Sequence, residues 1–220
     1  MSSKGLFIVI SGSSGAGKGT VLKKVFDALP NLAFSVSATS RAPRPGEVHG
    51  VNYYFMSEEE FERNIQAEAF LEYTKTYTNY YGTLKSEVEK KLSEGKDVVL
   101  EINVVGAVNV KKLYHECVSI FITPPSLKEL ETRLVGRGTE TEETLKRRLD
   151  EAAYEVRFIS EYDYIVINDE VDRCAMDMIS IIKAHKSKDE AALKEVEKHK
   201  VSRNQIFIKS LMEEVKQYYD

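Results

Sequence analysis

Nine residues near the start of the chain, Gly12-Ser13-Ser14-Gly15-Ala16-Gly17-Lys18-Gly19-Thr20, have the types and spacing to hold phosphate. Glycines let the backbone turn tightly and point successive N–H groups inward, and a lysine at the end reaches the outer phosphates. An apolar run at 6–10 precedes the loop, and Val21, Leu22, Val25 and Phe26 follow it at helical spacing. Strand, turn and helix in that order form the setting of a P-loop, where the helix N-terminus adds partial positive charge. An ordinary glycine-rich turn is the bland alternative, and it has no need of a lysine in this register. The usual pattern puts Ser or Thr directly after the lysine, whereas here Gly19 intervenes before Thr20. The hydroxyl that often touches magnesium is therefore displaced. A metal arriving with a nucleotide would be held largely through water and phosphate, with Thr20 as one protein donor.

A second group of residues also suits an anion. Arg41 and Arg44 lie three apart between prolines, a stiff pair of planar cations that match phosphate oxygens two at a time. Tyr53, and Tyr81 in Asn79-Tyr80-Tyr81-Gly82-Thr83, can add phenol donors. Arg-x-x-Arg by itself fits a solvated surface loop equally well. Glu72 stands in an otherwise apolar run and reads either as an edge residue or as a buried acceptor. Glu101 ends the run Val98-Val99-Leu100, where a P-loop protein keeps an acid near its metal. Arg133, Arg137, Arg147 and Arg148 crowd one helical stretch beside Gly136 and Gly138. Such a stretch is usually a solvated face, but it could also swing cations over phosphates.

The string at 39–55 closely resembles the signature of the guanylate kinase family: Thr39, Ser40, Arg41, Arg44, Glu47, Gly50 and Tyr53, then aromatics, stand at its fixed places. The resemblance runs from about residue 5 to about residue 184 and takes in the P-loop, 79–83 and 137–143. It implies transfer of the γ-phosphoryl group of Mg-ATP to GMP, and to dGMP, giving ADP and GDP. By position it implies that Arg41, Arg44, Tyr53 and Tyr81 hold the GMP phosphate, with Glu47 in the same loop. Ser37, Glu72 and Thr83 would read guanine, with Gly82, Glu101 and Asn103 also on the GMP side. Guanine presents two adjacent donors that one carboxylate can accept, whereas adenine would leave that carboxylate unpaired. Gly12, Ser13, Ser14, Gly15, Ala16, Gly17, Lys18, Gly19 and Thr20 would hold ATP together with Arg133, Arg137, Asn168 and Asp169. Lys18, Arg44, Arg137 and Arg148 would act in catalysis. The family usually carries acids at both 101 and 103, so Asn103 departs from its pattern and gives up one charge. Two rivals remain open: a related P-loop kinase for another small phosphate, and a guanylate-kinase-like binding module without catalysis. Glu72 and Ser37 argue against the first, the intact Lys18 and its glycines against the second.

These residues need a scaffold of α/β type. Apolar, β-branched runs recur at 6–10, 98–102, 118–122 and 164–167, separated by helical patterns, which marks a parallel P-loop sheet flanked by helices. A further short strand is expected at 34–36. Tyr-rich strand pieces at 51–55 and 70–74, with a capping box at Ser57 and Glu60, describe an inserted mixed α+β GMP-binding subdomain. A second insertion opens with a box at Ser126 and Glu129 and reads as a helical lid. The expected organisation is a P-loop core at 4–36, 87–125 and 159–185, the GMP-binding subdomain at 37–86, the lid at 126–158 and a helical tail at 186–220. In the tail Ile208, Leu211, Met212 and Val215 form an apolar stripe, which either docks on the chain itself or mediates self-association.

With 220 residues, 42% hydrophobic and 30% charged, the chain has the composition of a globular protein with a substantial core. A net charge of −4 gives no basic field to recruit nucleic acid. No run is long enough for a membrane span. Cys117 and Cys174 sit in apolar surroundings and read as buried free thiols, consistent with the cytoplasm. The four histidines lack metal-ligand spacing. The expected oligomeric state is open.

Overall fold

The computed structural model describes residues 4–76, 78–136 and 141–219. The chain divides into two compact units, residues 1–8 with 31–117, and 9–30 with 118–220.

In the first unit β2 (Leu32–Phe34) pairs in parallel with β7 (Asp97–Glu101), Leu32 opposite Asp97, and β7 is followed by the opening residues of β1 (Phe7–Gly12). The short strand thus begins two residues before the 34–36 expected from sequence. Leu32 is the residue that faces inward, while Phe34 is largely exposed. The inserted region forms a small sheet in the order β4 (Tyr54–Phe55), β3 (Ala38–Thr39), β6 (Asn79–Leu84) and β5 (Phe70–Thr76). Only the last two residues of the 51–55 run are extended. Val51 and Asn52 are curled into a turn, with the Asn52 side chain accepting from the Val48 amide at 2.8 Å, and Tyr53 makes an isolated bridge with His49. Helix α2 (Glu58–Gln66) starts at Ser57, whose hydroxyl accepts from the Glu60 amide at 3.1 Å. It buries Phe61 between Phe70 and Tyr80, ring centroids 4.3 and 5.0 Å away. Helices α3 (Lys85–Ser93) and α4 (Val104–Leu113) flank β7 in sequence.

In the second unit the remainder of β1 lies beside β8 (Val118–Thr123), and β8 pairs in parallel with β9 (Tyr164–Ile167). All six residues of β1 and all six of β8 are buried, and both strands are mostly apolar, with Ser11, Ser119 and Thr123 as their buried polar residues. Helix α1 (Lys18–Ala28) packs Val21, Leu22 and Val25 inward and lies against α7 (Val171–Ser187). Helices α5 (Leu127–Val135) and α6 (Glu142–Val156) occupy the expected second insertion, and Ser126 caps α5 through the Glu129 amide at 3.0 Å. The tail forms α8 (Glu190–Val196), two 3₁₀ turns and α9 (Gln205–Tyr219). Ile208, Leu211 and Val215 of α9 are buried and the helix contacts α5 and α6, so the apolar stripe docks on its own chain. Both cysteines are buried and neither is in a disulfide, and burial pushes the Cys174 thiol up to about 12. Among the described residues no helix is long and apolar enough to cross a membrane.

Candidate active site

The loop at 12–20 joins the end of β1 to the start of α1. Gly15 and Gly17 both have φ of +85°, the left-handed region that glycine enters without steric cost. Neighbouring side chains crowd both positions as well. A Cβ at Gly15 would lie 2.8 and 2.9 Å from Leu134 and Leu130, and one at Gly17 would lie 2.6 Å from the Asn168 amide nitrogen. Helix α1 has no side-chain cap and no acid in its first turn, so nothing on the helix competes for an anion at its N-terminus. Lys18 lies back across the loop, its Nζ donating to Gly12 O at 2.6 Å and Ser13 O at 3.3 Å. Gly19 and Thr20 are exposed in the first turn of α1.

Asn168 follows β9 and braces this loop from behind. Its Nδ2 donates to Ala16 O at 2.7 Å, and its buried Oδ1 has no partner among the described residues. Arg133 of α5 donates to the carbonyls of Asn168 and Asp169 at 2.8 and 3.4 Å and pairs with Glu129 at 2.9 Å. The structure therefore brings Arg133, Asn168 and Asp169 together, with the guanidinium engaged by backbone. The Asp169 carboxylate accepts from the Glu170 amide and pairs with Arg173 at 3.0 Å. Arg148 is partly buried on α6. Arg137 lies outside the described residues, beyond the end of α5 at Val135.

In the first unit the loop after β3 is organised by Glu47. One carboxylate oxygen pairs with Arg41 at 2.9 Å and the other accepts the Arg44 amide at 2.7 Å. These two contacts, the Arg41 guanidinium first, hold the Glu47 carboxyl below its usual range, and Arg41 is raised in turn. Arg41 lies 5.5 Å from the Tyr53 ring centre and 5.7 Å from that of Phe55, and Tyr53 meets Tyr81 edge-on at 6.1 Å. Arg41, Tyr53 and Tyr81 thus form one cluster, as their types suggested. Arg44 is exposed beside it.

Glu72 lies on β5, the edge strand of the small sheet, yet it is partly buried and does not simply face water. It stands opposite Thr83 in the β5–β6 pairing, after a bulge, and Thr83 Oγ1 donates to Glu72 Oε1 at 2.7 Å. Burial pushes the Glu72 carboxyl up, partly offset by that hydroxyl. Its other oxygen lies over Gly106 in the first turn of α4, 3.1 Å from where a Cβ would stand. Gly82, buried beneath the same pair, lets β6 run close to the Glu72 backbone and the Phe61 ring. Ser37 precedes β3, and its carbonyl accepts from the Tyr54 amide at 2.8 Å.

Glu101 is exposed at the end of β7. Asn103 does work that its comparison with an acid did not foresee. It is the N-cap of α4, with Oδ1 accepting from the Gly106 amide at 2.9 Å. An Asn directly before a helical run is itself an N-cap signal, so this role was legible. Glu155 of α6 was missed altogether: its Oε2 accepts from the Ser14 amide at 2.7 Å. The one available sign was an acid three residues after Ala152, beside the buried face formed by Leu149, Ala152, Ala153 and Val156.

Known proteins match this arrangement over most of its length. The family model for guanylate kinase matches residues 4–185. A guanylate kinase from Caldanaerobacter subterraneus subsp. tengcongensis is 53% identical over 183 residues, covering 83% of this chain and 89% of the relative. One from Clostridium tetani is 54% identical over 183 residues, covering 83% of this chain and 88% of the relative. The crystal structure of guanylate kinase from Anaplasma phagocytophilum superposes with a TM-score of 0.63 at 33% identity, covering 83% of this chain and 86% of that one. With a phosphate-binding loop at the head of α1, a partly buried Glu72–Thr83 pair, and these matches, the chain belongs to the guanylate kinase family.

Proposed function

We propose that the loop at 12–20 takes ATP and that the Arg41–Tyr53–Tyr81 cluster, with Glu72 and Thr83, takes GMP. The chain is an ATP:GMP phosphotransferase. The bond between the γ-phosphorus and the ADP oxygen breaks as a GMP phosphate oxygen bonds to that phosphorus in line, without a covalent enzyme intermediate. Lys18 moves from its resting carbonyls onto the outer phosphates, where those carbonyl contacts are exchanged for charge-assisted ones. Arg41 and exposed Arg44 hold the GMP phosphate, and Glu47 keeps the loop that carries them in shape. Arg137 and Arg148 neutralise charge that spreads over the transferred group. Residues 126–158 act as a lid whose anchored part is the face of α5 and α6 packed on the loop.

The observation that carries the choice of base is the Glu72–Thr83 pair. A partly buried carboxylate with one oxygen already satisfied by a hydroxyl selects a partner that brings donors, as guanine does. A coupled ADP-release assay with GMP, dGMP, AMP, CMP and UMP tests this. GMP and dGMP should be the accepted substrates, and equal turnover of AMP would remove Glu72 as the base reader. A catalytically silent binding module would release no ADP with any of them.

Phosphoryl transfer in this family takes a divalent metal, for which we propose magnesium. Among the described residues no group of three or more His, Cys, Asp or Glu could hold an ion by itself. The exposed Thr20 hydroxyl and the exposed Glu101 carboxylate are each hard oxygen donors of the kind magnesium takes, with phosphate oxygens and water completing the shell. Held there, the metal would supply positive charge that offsets the negative charge developing on the transferred phosphoryl group. We assign the protein to the cytoplasm, where the thiols of Cys117 and Cys174 stay reduced.

A further inference from the structure

The peptide between Ser13 and Ser14 is held at both of its ends. Its carbonyl, Ser13 O, accepts from the Ala16 amide at 2.9 Å and from Lys18 Nζ at 3.3 Å. Its N–H, on Ser14, donates to Glu155 Oε2 at 2.7 Å. A peptide unit is planar, so fixing the N–H end also fixes the direction of the carbonyl. Glu155 lies 141 residues further along the chain, on α6. Burial pushes its carboxyl up, while the Ser14 amide and the Lys18 charge pull it down. A partly buried acid that spends its oxygen on one loop amide is costly to keep unless the contact is used.

The same segment touches the loop a second time. Leu130 and Leu134 of α5 are fully buried, and both lie against Gly15, the residue after Ser14. A glycine-rich loop is conformationally permissive, and without outside restraint its peptides could turn either way. Two contacts from α5 and α6 supply that restraint at consecutive residues.

We propose that Glu155 is a positioning residue of the phosphate cradle, holding the Ser13–Ser14 peptide in the one orientation that presents Lys18 and the following amides to ATP. It touches no substrate. It acts through the loop, so its loss weakens ATP and leaves GMP alone. The inference rests on the assignment of the 12–20 loop to ATP.

Three variants test it. Glu155→Ala removes the acceptor, Glu155→Asp keeps the charge but shortens the reach, and Glu155→Gln keeps the reach and an acceptor oxygen without the charge. Steady-state kinetics should show kcat/KM for ATP falling about ten- to a hundredfold in Glu155→Ala, the scale of a lost hydrogen bond to a charged group. The KM for GMP should stay within about twofold. Glu155→Asp should share the defect, and Glu155→Gln should recover most of the ATP affinity. Thermal melting run alongside separates positioning from folding. A lowered melting temperature with unchanged ATP kinetics would overturn the proposal, as would a Gln variant no better than Ala. Should Glu155→Ala fail to fold, the contrast between Asp and Gln decides alone. Lys18→Ala distinguishes this proposal from the assignment beneath it. If Lys18→Ala keeps full turnover the cradle assignment fails, whereas a dead Lys18→Ala with parent-like Glu155 variants overturns the role of Glu155 only.

Discussion

Glu214 on the last helix places Oε2 2.7 Å from the backbone amide of Leu127, the first residue of α5. A carboxylate at a helix N-terminus satisfies an otherwise unpaired donor and meets the positive end of the helix dipole. The tail, which lies beyond the residues matched by the family model, is thus joined to the helix that carries Arg133. Tyr219 adds a contact to Asp150 O of α6 at 3.4 Å, and Arg157 lies 5.8 Å from its ring centre. Glu214→Ala should lower stability by about 1 kcal/mol, read as an earlier midpoint in urea, with Glu214→Gln losing less. An unchanged midpoint in Glu214→Ala would mean that solvent caps α5 as well.

Lys18→Ala should abolish turnover while the protein stays folded. Its ammonium rests on two carbonyls of the loop, and the residue is only partly buried. Circular dichroism should match the parent. Turnover near the parental rate would remove Lys18 from the phosphate contacts.

Glu72→Gln swaps one acceptor oxygen for a donor amide and should cost roughly 10²-fold or more in kcat/KM for GMP, with the KM for ATP unchanged. Undiminished preference for GMP over AMP would count against Glu72.

Burial raises the Glu72 carboxyl, so the native state binds this proton more tightly than the unfolded chain does. Stability from this group is present below the ordinary carboxylate value and is lost as pH rises through the raised one. Glu72→Gln, unable to titrate, should therefore show less loss of stability than the parent across that interval. Equal slopes in parent and variant, from urea midpoints over a pH series, would contradict the raised carboxyl.

Asn103→Asp should leave α4 intact, since Asp caps a helix as well as Asn does. It adds one negative charge at the start of α4, two residues after Glu101. Either kcat/KM for GMP should rise or the magnesium requirement should fall, without a change in the base accepted. If a magnesium titration leaves both unchanged, position 103 serves α4 alone.

Much of this protein is written in local sequence. A five-residue apolar run, four glycines, a lysine and a helical period lie within about twenty positions, and their order alone specifies a P-loop. The cluster of Arg41, Glu47 and Tyr53 is equally local, because prolines and a short loop leave those residues few places to go. Boundaries were less legible. The 34–36 strand shifted to Leu32–Phe34 because pairing with β7, and not β-propensity, sets where a short edge strand begins. What only the tertiary structure decided are the long-range polar contacts: Glu155 on Ser14 across 141 residues, Asn168 on Ala16 across 152, and Glu214 on Leu127 across 87. An acid on an amphipathic helix has the same local pattern whether it faces water or a distant amide. Its meaning depends on which backbone group the packed helices bring within about 3 Å, and packing is a property of the whole chain.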